Sequence, residues 1–241
     1  MPKFTTAQDA SAMNGVKVLA HGESGVGKTV LTATLPTPVL ISAESGSLSL
    51  KTENLIRLFG PNNPTVTYNM PMILIENIDD LIDAYNWCAS SAEARQFQSV
   101  GLDSLTEVAE VILNNAKKQV KDARQAYGEL ISKMENTVRL FRDLPQKHVL
   151  MVAKTEPLKD ELSGVVKYSP AMPGSKLGPK LAYFFDEVFY VGVNNHPQHG
   201  KYRYLQTQPD LQRVAKDRSG ALAEMEAPNM TSVINKILGV H

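Results

Sequence analysis

Residues 22–29 read GESGVGKT, and no other stretch constrains the fold of this chain as strongly. The octapeptide matches G-x-x-x-x-G-K-[ST] at every fixed position. Such a loop works only where a strand delivers it and a helix follows it. Its glycines turn backbone N–H groups inward around phosphate oxygens, and the helix N-terminus behind them favours anions. The flanking residues agree: KVLAH at 17–21 is a strand candidate, and a helix is predicted over 28–35, ended by Pro36 and Pro38. Lys28 is placed to reach β- and γ-phosphates, and Thr29 to offer its hydroxyl to Mg²⁺. The nucleotide-binding candidates are Gly22, Glu23, Ser24, Gly25, Val26, Gly27, Lys28, Thr29 and Val30, with ATP and Mg²⁺ as expected ligands. The plain alternative is a glycine turn at a strand end.

Further apolar segments alternate with helix-like ones. Residues 39–43, 100–103 and 148–153 read as strands, the last apolar throughout its interior, as a strand buried on both faces should be. Residues 78–89 carry helical spacing (Ile78, Leu81, Ile82, Tyr85) with Asp79 and Asp80 in the first turn, where the helix dipole favours them. Two long helices are predicted over 104–121 and 124–143, ending before Pro145. Residues 156–181 hold too many prolines and glycines for a regular element. Strands at 187–193 and 202–207 then flank a turn, and a short helix is expected over 230–238. Strands separated by helices imply an α/β fold: a mostly parallel sheet with helices on both faces, plus a C-terminal hairpin. The expected organisation is a flexible lead-in over 1–14 and one domain over 15–241.

VGLDSLTE at 100–107 poses the catalytic question. Alone, Asp103 reads as the N-cap of a helix starting at Leu105; with a phosphate loop 75 residues upstream, it reads as a second magnesium partner. A hydrolase also needs an acceptor for the attacking water's proton, yet Ser104 follows Asp103. In an open parallel sheet, ligands bind at the C-terminal ends of strands. The remaining candidates are therefore Glu44 and Glu156, with Glu107 one helical turn too far back.

Charge and composition narrow the classes. The 241 residues are 43% hydrophobic and 21% charged, those of a globular protein, and no apolar run approaches the ~20 residues that span a bilayer. The N-terminal residues lack a secretory pattern, and the lone Cys88 reads as a small buried hydrophobe in a reducing compartment, so a cytoplasmic setting without membrane is expected. With 25 basic and 25 acidic residues, bulk charge does not coat nucleic acid. The distribution is uneven, however: residues 76–110 hold eight acids and one base, and residues 117–142 seven bases and three acids. By itself the basic cluster reads as a solvated helix face. His196 and His199 flank a turn with no further ligand nearby and do not make a zinc site.

The ISAESG stretch at 41–46, the Asp103-Ser104 strand end, and the blocks MPGSKLGPKLAYFFDEVFYV and YLQTQPDLQRVAKDRSGAL together resemble the RecA-like ATPases, in particular the small ones encoded by bacteriophages and prophages, some of which anneal single strands. The likeness spans most of the chain. It implies ATP hydrolysis with Glu44 as the base, carried on a strand other than that of Asp103. It also implies that Lys216 and Arg218 reach across a homo-oligomer interface, in a ring or filament, to complete a neighbour's site. Without the resemblance these two residues are a polar turn. It further implies single-stranded DNA as partner in recombination or repair, with a single-strand DNA-binding protein as a possible associate. Lys154 departs from the family, standing where RecA has a glutamine that relays nucleotide state to DNA. The 156–181 loop would occupy the place of a DNA-binding loop, offering Lys159, Lys167, Lys176 and Lys180 to phosphates and Tyr168 to a base, diluted by Asp160 and Glu161; a plain surface loop is the equal reading. A small-molecule kinase, or a nucleotide-switched assembly or packaging factor, would use the same phosphate loop.

Overall fold

The structure, a computed structural model, describes residues 4–6, 15–44, 47–159, 164–174, 176–198 and 200–240. Apart from 4–6, the expected lead-in over 1–14 lies outside the described residues, as do Gly46, Asp160, Glu161 and His199. Strand β1 (Lys17–Gly22) leads to helix α1 (Lys28–Thr32), and β2 (Pro38–Ser42) to α2 (Thr52–Phe59). Then come β3 (Met72–Leu74), α3 (Ile78–Ser90), β4 (Ser99–Asp103), and the long pair α4 (Leu105–Gln119) and α5 (Ala123–Arg142). The C-terminal half comprises β5 (His148–Lys159), β6 (Val166–Pro170), α6 (Leu177–Leu181), β7 (Glu187–His196), β8 (Gly200–Gln206), β9 (Lys216–Asp217), β10 (Met225–Glu226) and α7 (Met230–Leu238).

The sheet order is β10-β8-β7-β1-β5-β4-β2-β3. The run from β7 to β3 is parallel, and β8 and β10 add antiparallel at one edge. This is the expected α/β architecture with its C-terminal hairpin. The unbroken apolar strands divide their side chains by the two-residue period. Leu19, Val149, Met151 and Ala153 face a core built with α3, α4 and α5, while Val18, Ala20, Leu150 and Val152 face a second core with α1 and α7. Cys88 is buried in the first core, and burial pushes its thiol up to about 11. No helix among the described residues is long and apolar enough to cross a membrane.

Three differences from the sequence expectation have physical causes. Residues 33–35 leave the α-helix because Ala33, Thr34 and Leu35 donate to carbonyls three residues back, tightening the last turn. The breaker-rich 156–181 stretch is partly regular: β5 continues to Lys159 and pairs antiparallel with β6 in a two-stranded ribbon. Beyond Thr155, β5 pairs only with β6 among the described strands, so Pro157 and its missing N–H are tolerated. The third difference is β3, a three-residue edge strand too short to show a period of two.

Lysines close the N-terminal edge of the sheet. Lys17 donates to the carbonyls of Leu144 (3.0 Å) and Lys147 (2.7 Å), past the end of α5. Lys147 donates to Ala94 (2.7 Å) and Phe97, at the turn before β4. Lys216 donates to Ala182 (2.9 Å) and Phe185, past the end of α6. Each ammonium thus ties down carbonyls of the connections that follow α5, precede β4 and follow α6. Beside Lys216, Glu187 opens β7 with a fully buried side chain, and burial together with Asp217 pushes its carboxyl up to about 7. A carboxyl whose folded value lies above its unfolded one favours folding most below the unfolded value, and that contribution is lost as pH rises through the folded one. Glu187→Gln should therefore raise the melting temperature at pH 8 by roughly 2–4 °C, the shift that about 1 kcal/mol produces in a chain of this size. The gain should fade as pH drops towards 5, which a melting series across pH would show.

Candidate nucleotide site

Parallel pairing brings the C-terminal ends of four strands together. Gly22 of β1 lies opposite Lys154 of β5, Asp103 of β4 opposite Val152 of β5, and Ser42 of β2 opposite Asp103. The strand carrying the phosphate loop and the strand carrying Asp103 are therefore separated by β5. Above these ends opens a cavity of about 570 Å³, lined by residues 24–31 together with Glu44, Asp103, Lys154 and Arg203. Asn54, Arg57 and Phe59 of α2 form its far wall.

The loop glycines have separate reasons. A Cβ on Gly22 would lie 2.6 Å from the Val191 carbonyl, so close strand packing requires glycine there. Gly25 (φ 78°) and Gly27 (φ 100°) adopt left-handed conformations that L side chains disfavour. Lys28 donates to the Glu23 carbonyl at 2.7 Å, and Thr29 donates its hydroxyl to Asp103 Oδ2 at 2.5 Å. Of the expected loop residues, Ser24 to Val30 line the cavity, whereas Gly22 and Glu23 support it from below.

Electrostatics show what the site suits. Burial pushes Asp103 above the usual carboxylate range, opposed by the Thr29 hydroxyl and Lys28 and assisted by Glu44. Burial likewise lowers Lys28, although Asp103 and Glu44 pull it up. A phosphate at Lys28 and a cation between Thr29 and Asp103 would relieve both penalties. The donor set therefore fits Mg²⁺ with a nucleotide triphosphate, Thr29 and Asp103 holding the metal.

The structure answers the question raised by Asp103-Ser104. Ser104 Oγ donates to Glu44 Oε1 at 2.7 Å and also accepts the Glu107 N–H at 3.3 Å as the N-cap of α4. The residue after Asp103 is thus the one that holds the carboxylate arriving from β2. Glu156 lies elsewhere: Oε1 accepts the Met172 N–H at 3.4 Å, and the side chain does not line the cavity. Lys154 stands between the phosphate loop and Asp103 and pairs with Glu107 at 3.2 Å.

Lys216 and Arg218 are placed away from this chain's own cavity. Lys216 pairs with Val188, three residues before the cavity-lining Val191, or about 10 Å down the strand. The Lys216 ammonium is engaged by the two carbonyls described above, which is a structural role within the chain. Arg218 is more exposed and pairs with Asp186 at 2.8 Å. The candidate nucleic-acid residues also separate. Lys159 and Lys167 lie on the β5–β6 ribbon, Lys176 lies against α5, Lys180 pairs with Glu135 at 3.5 Å, and Tyr168 is half-buried rather than an open platform.

Arg203 escaped the sequence reading because it arrives from β8, remote in sequence and with no motif around it. Its Nε–H donates to the Val26 carbonyl at 2.9 Å, and its side chain lies where a Gly27 Cβ would come within 3.1 Å of Nε. Among the described residues the terminal guanidinium nitrogens have no protein partner.

A family model for an AAA domain matches residues 14–219. The chain belongs to this AAA-domain family. Its fold and phosphate loop are those of a nucleotide-binding ATPase. No curated protein matches the sequence. Among solved structures it is similar to a KaiC-like protein from the hyperthermophilic archaeon Pyrococcus horikoshii, at 14% identity and a TM-score of 0.42, covering 80% of this chain and 77% of the other. For this AAA-domain chain, Arg203→Ala should weaken ATP binding about tenfold, the value of one charge-assisted contact, as titration calorimetry would measure.

Proposed function

We propose that this AAA-domain chain hydrolyses ATP as a RecA-like protein acting on single-stranded DNA, in strand annealing during phage recombination or repair. The observation that carries the hydrolytic part is the Ser104–Glu44 hydrogen bond, which holds a carboxylate in the cavity beside Asp103 and Lys28. In this reading a water attacks the γ-phosphorus, its proton passes to Glu44, and the bond to the ADP leaving group breaks. Mg²⁺ held by Thr29 and Asp103 would neutralise charge on the phosphate oxygens when bound. Lys28 and Arg203 would hold phosphates from opposite sides of the loop. The DNA part rests on the sequence resemblance and on the basic residues above the sheet.

Glu44→Gln should lower turnover by about 10²–10⁴-fold while nucleotide binding is kept. Single-stranded DNA should stimulate the wild type. Ser104→Ala should lower kcat less and leave KM near its original value, because it frees the base without removing it. Turnover indifferent to DNA would favour the nucleotide-switched assembly factor or the kinase, and turnover surviving Glu44→Gln would move the base to Glu156.

Oligomerisation is part of the same proposal, with Arg218 as the cation offered to a neighbour's nucleotide, since its guanidinium is exposed and is held by a surface ion pair with Asp186. Arg218→Ala should cut turnover at least about tenfold at protein concentrations where sedimentation shows an unchanged assembly. A normal rate in an intact assembly would remove the trans-cation role.

A further inference from the structure

The seven bases between Lys117 and Arg142 divide into two groups in the folded chain. Those on the C-terminal half of α5 are matched by carboxylates: Lys133 by Glu129 at 3.3 Å, Arg139 by Glu135 at 3.4 Å and Arg142 by Asp143 at 2.6 Å. Lys117 and Lys118 in the last turn of α4, Lys121 in the connection and Arg124 in the first turn of α5 have no carboxylate partner among the described residues. Neither has Lys176, which the 173–177 segment brings to the same place. The one acid among them, Asp122, accepts the Arg124 backbone N–H at 2.8 Å as the N-cap of α5. Four of these cations thus share residues 117–124 with one capping carboxylate, at the positive end of a 20-residue helix.

Arg124 and Lys176 line a groove of about 690 Å³ between α5 and residues Pro173, Gly174 and Leu177. Tyr127 forms one wall, a third exposed, with Lys117 Nζ 5.9 Å from its ring centroid. Gly174 (φ 78°) lies against the ring edge, and a Cβ there would come within 3.2 Å of Tyr127 Cε1. An aromatic ring among unmatched cations offers a base a face and phosphates their counter-charges, the combination that single-stranded nucleic acid uses.

We infer that this groove, rather than the β5–β6 ribbon, is the seat of the single-stranded nucleic acid, with phosphates on Lys117, Arg124 and Lys176 and a base against Tyr127. The inference rests on the DNA reading above and locates it. Helix α4 joins the two sites. Its first turn holds Glu44 through Ser104, while Thr106 accepts the Lys154 N–H at 3.0 Å and donates to the Ala171 carbonyl at 2.9 Å, where the groove-forming segment begins. Its last turn carries Lys117 and Lys118. A strand seated in the groove therefore bears on the helix that positions the base.

The test is fluorescence anisotropy of a labelled 20-nucleotide oligothymidylate, with melting curves to confirm folding of every variant. Paired Arg124→Glu and Lys176→Glu should weaken binding at least about tenfold and flatten the slope against salt, as loss of phosphate contacts does. Paired Lys133→Glu and Arg142→Glu, an equal change in net charge on the self-neutralised half, should weaken it far less. Tyr127→Ala should weaken binding with little change in salt slope, the mark of lost stacking. Equal losses in the two charge-reversed pairs would overturn the groove in favour of bulk charge. So would a groove pair that binds normally while paired Lys159→Glu and Lys167→Glu do not, which leaves the DNA reading intact. A wild type that fails to bind the oligonucleotide would remove both.

Discussion

The parallel hydrogen-bonded register of β1, β5, β4 and β2 is the constraint on which the rest depends. Because these strands run the same way and are buried on both faces, polar side chains find room only where the strands end. Three such ends, at Gly22, Ser42 and Asp103, converge on one edge with Lys154, where the parallel pairing of β5 stops. The cavity is the consequence of that register, and a slip of one residue in β4 would turn Asp103 into a core. The phosphate loop itself is held from below by the approach of Val191 to Gly22 and from the side by Arg203 on Val26.

Within that edge, burial sets opposite charges against their own preferences. Asp103 is pushed towards its neutral form and Lys28 is pulled down, while Thr29 bridges to the carboxylate. A site so arranged is poised for an anion and a cation together, since either alone would deepen the penalty on one partner. Glu44 has its own donor, Ser104, separate from the Thr29–Asp103 pair.

The lysines and arginines illustrate how environment sorts one residue type into several jobs. At the N-terminal edge of the sheet, Lys17, Lys147 and Lys216 donate to backbone carbonyls of the connections between helices and strands. At the C-terminal edge, Lys28 and Arg203 face the cavity, while Lys117, Arg124 and Lys176 lie by Tyr127 with no carboxylate partner among the described residues. Lys216 and Arg218 are two residues apart in sequence yet differ in role, because one points to carbonyls behind α6 and the other to an exposed ion pair.

Much of the fold was legible in the residues. The G-x-x-x-x-G-K-T loop requires a strand before it and a helix after it, the apolar runs at 100–103 and 148–153 mark doubly buried strands, and the helix over 230–238 carries its own Asn229 cap. These are local properties, decided by backbone conformation, periodicity and capping within a few residues. Tertiary structure alone decided that β5 would separate the loop from Asp103, that Ser104 would meet Glu44 from 60 residues away, and that Arg203 would reach Val26 from 177 residues away. It also decided which basic residues of α4 and α5 find carboxylates. The reason is physical: a hydrogen bond or ion pair between distant segments depends on strand order and register, and neither leaves a signal in the residues that end up in contact.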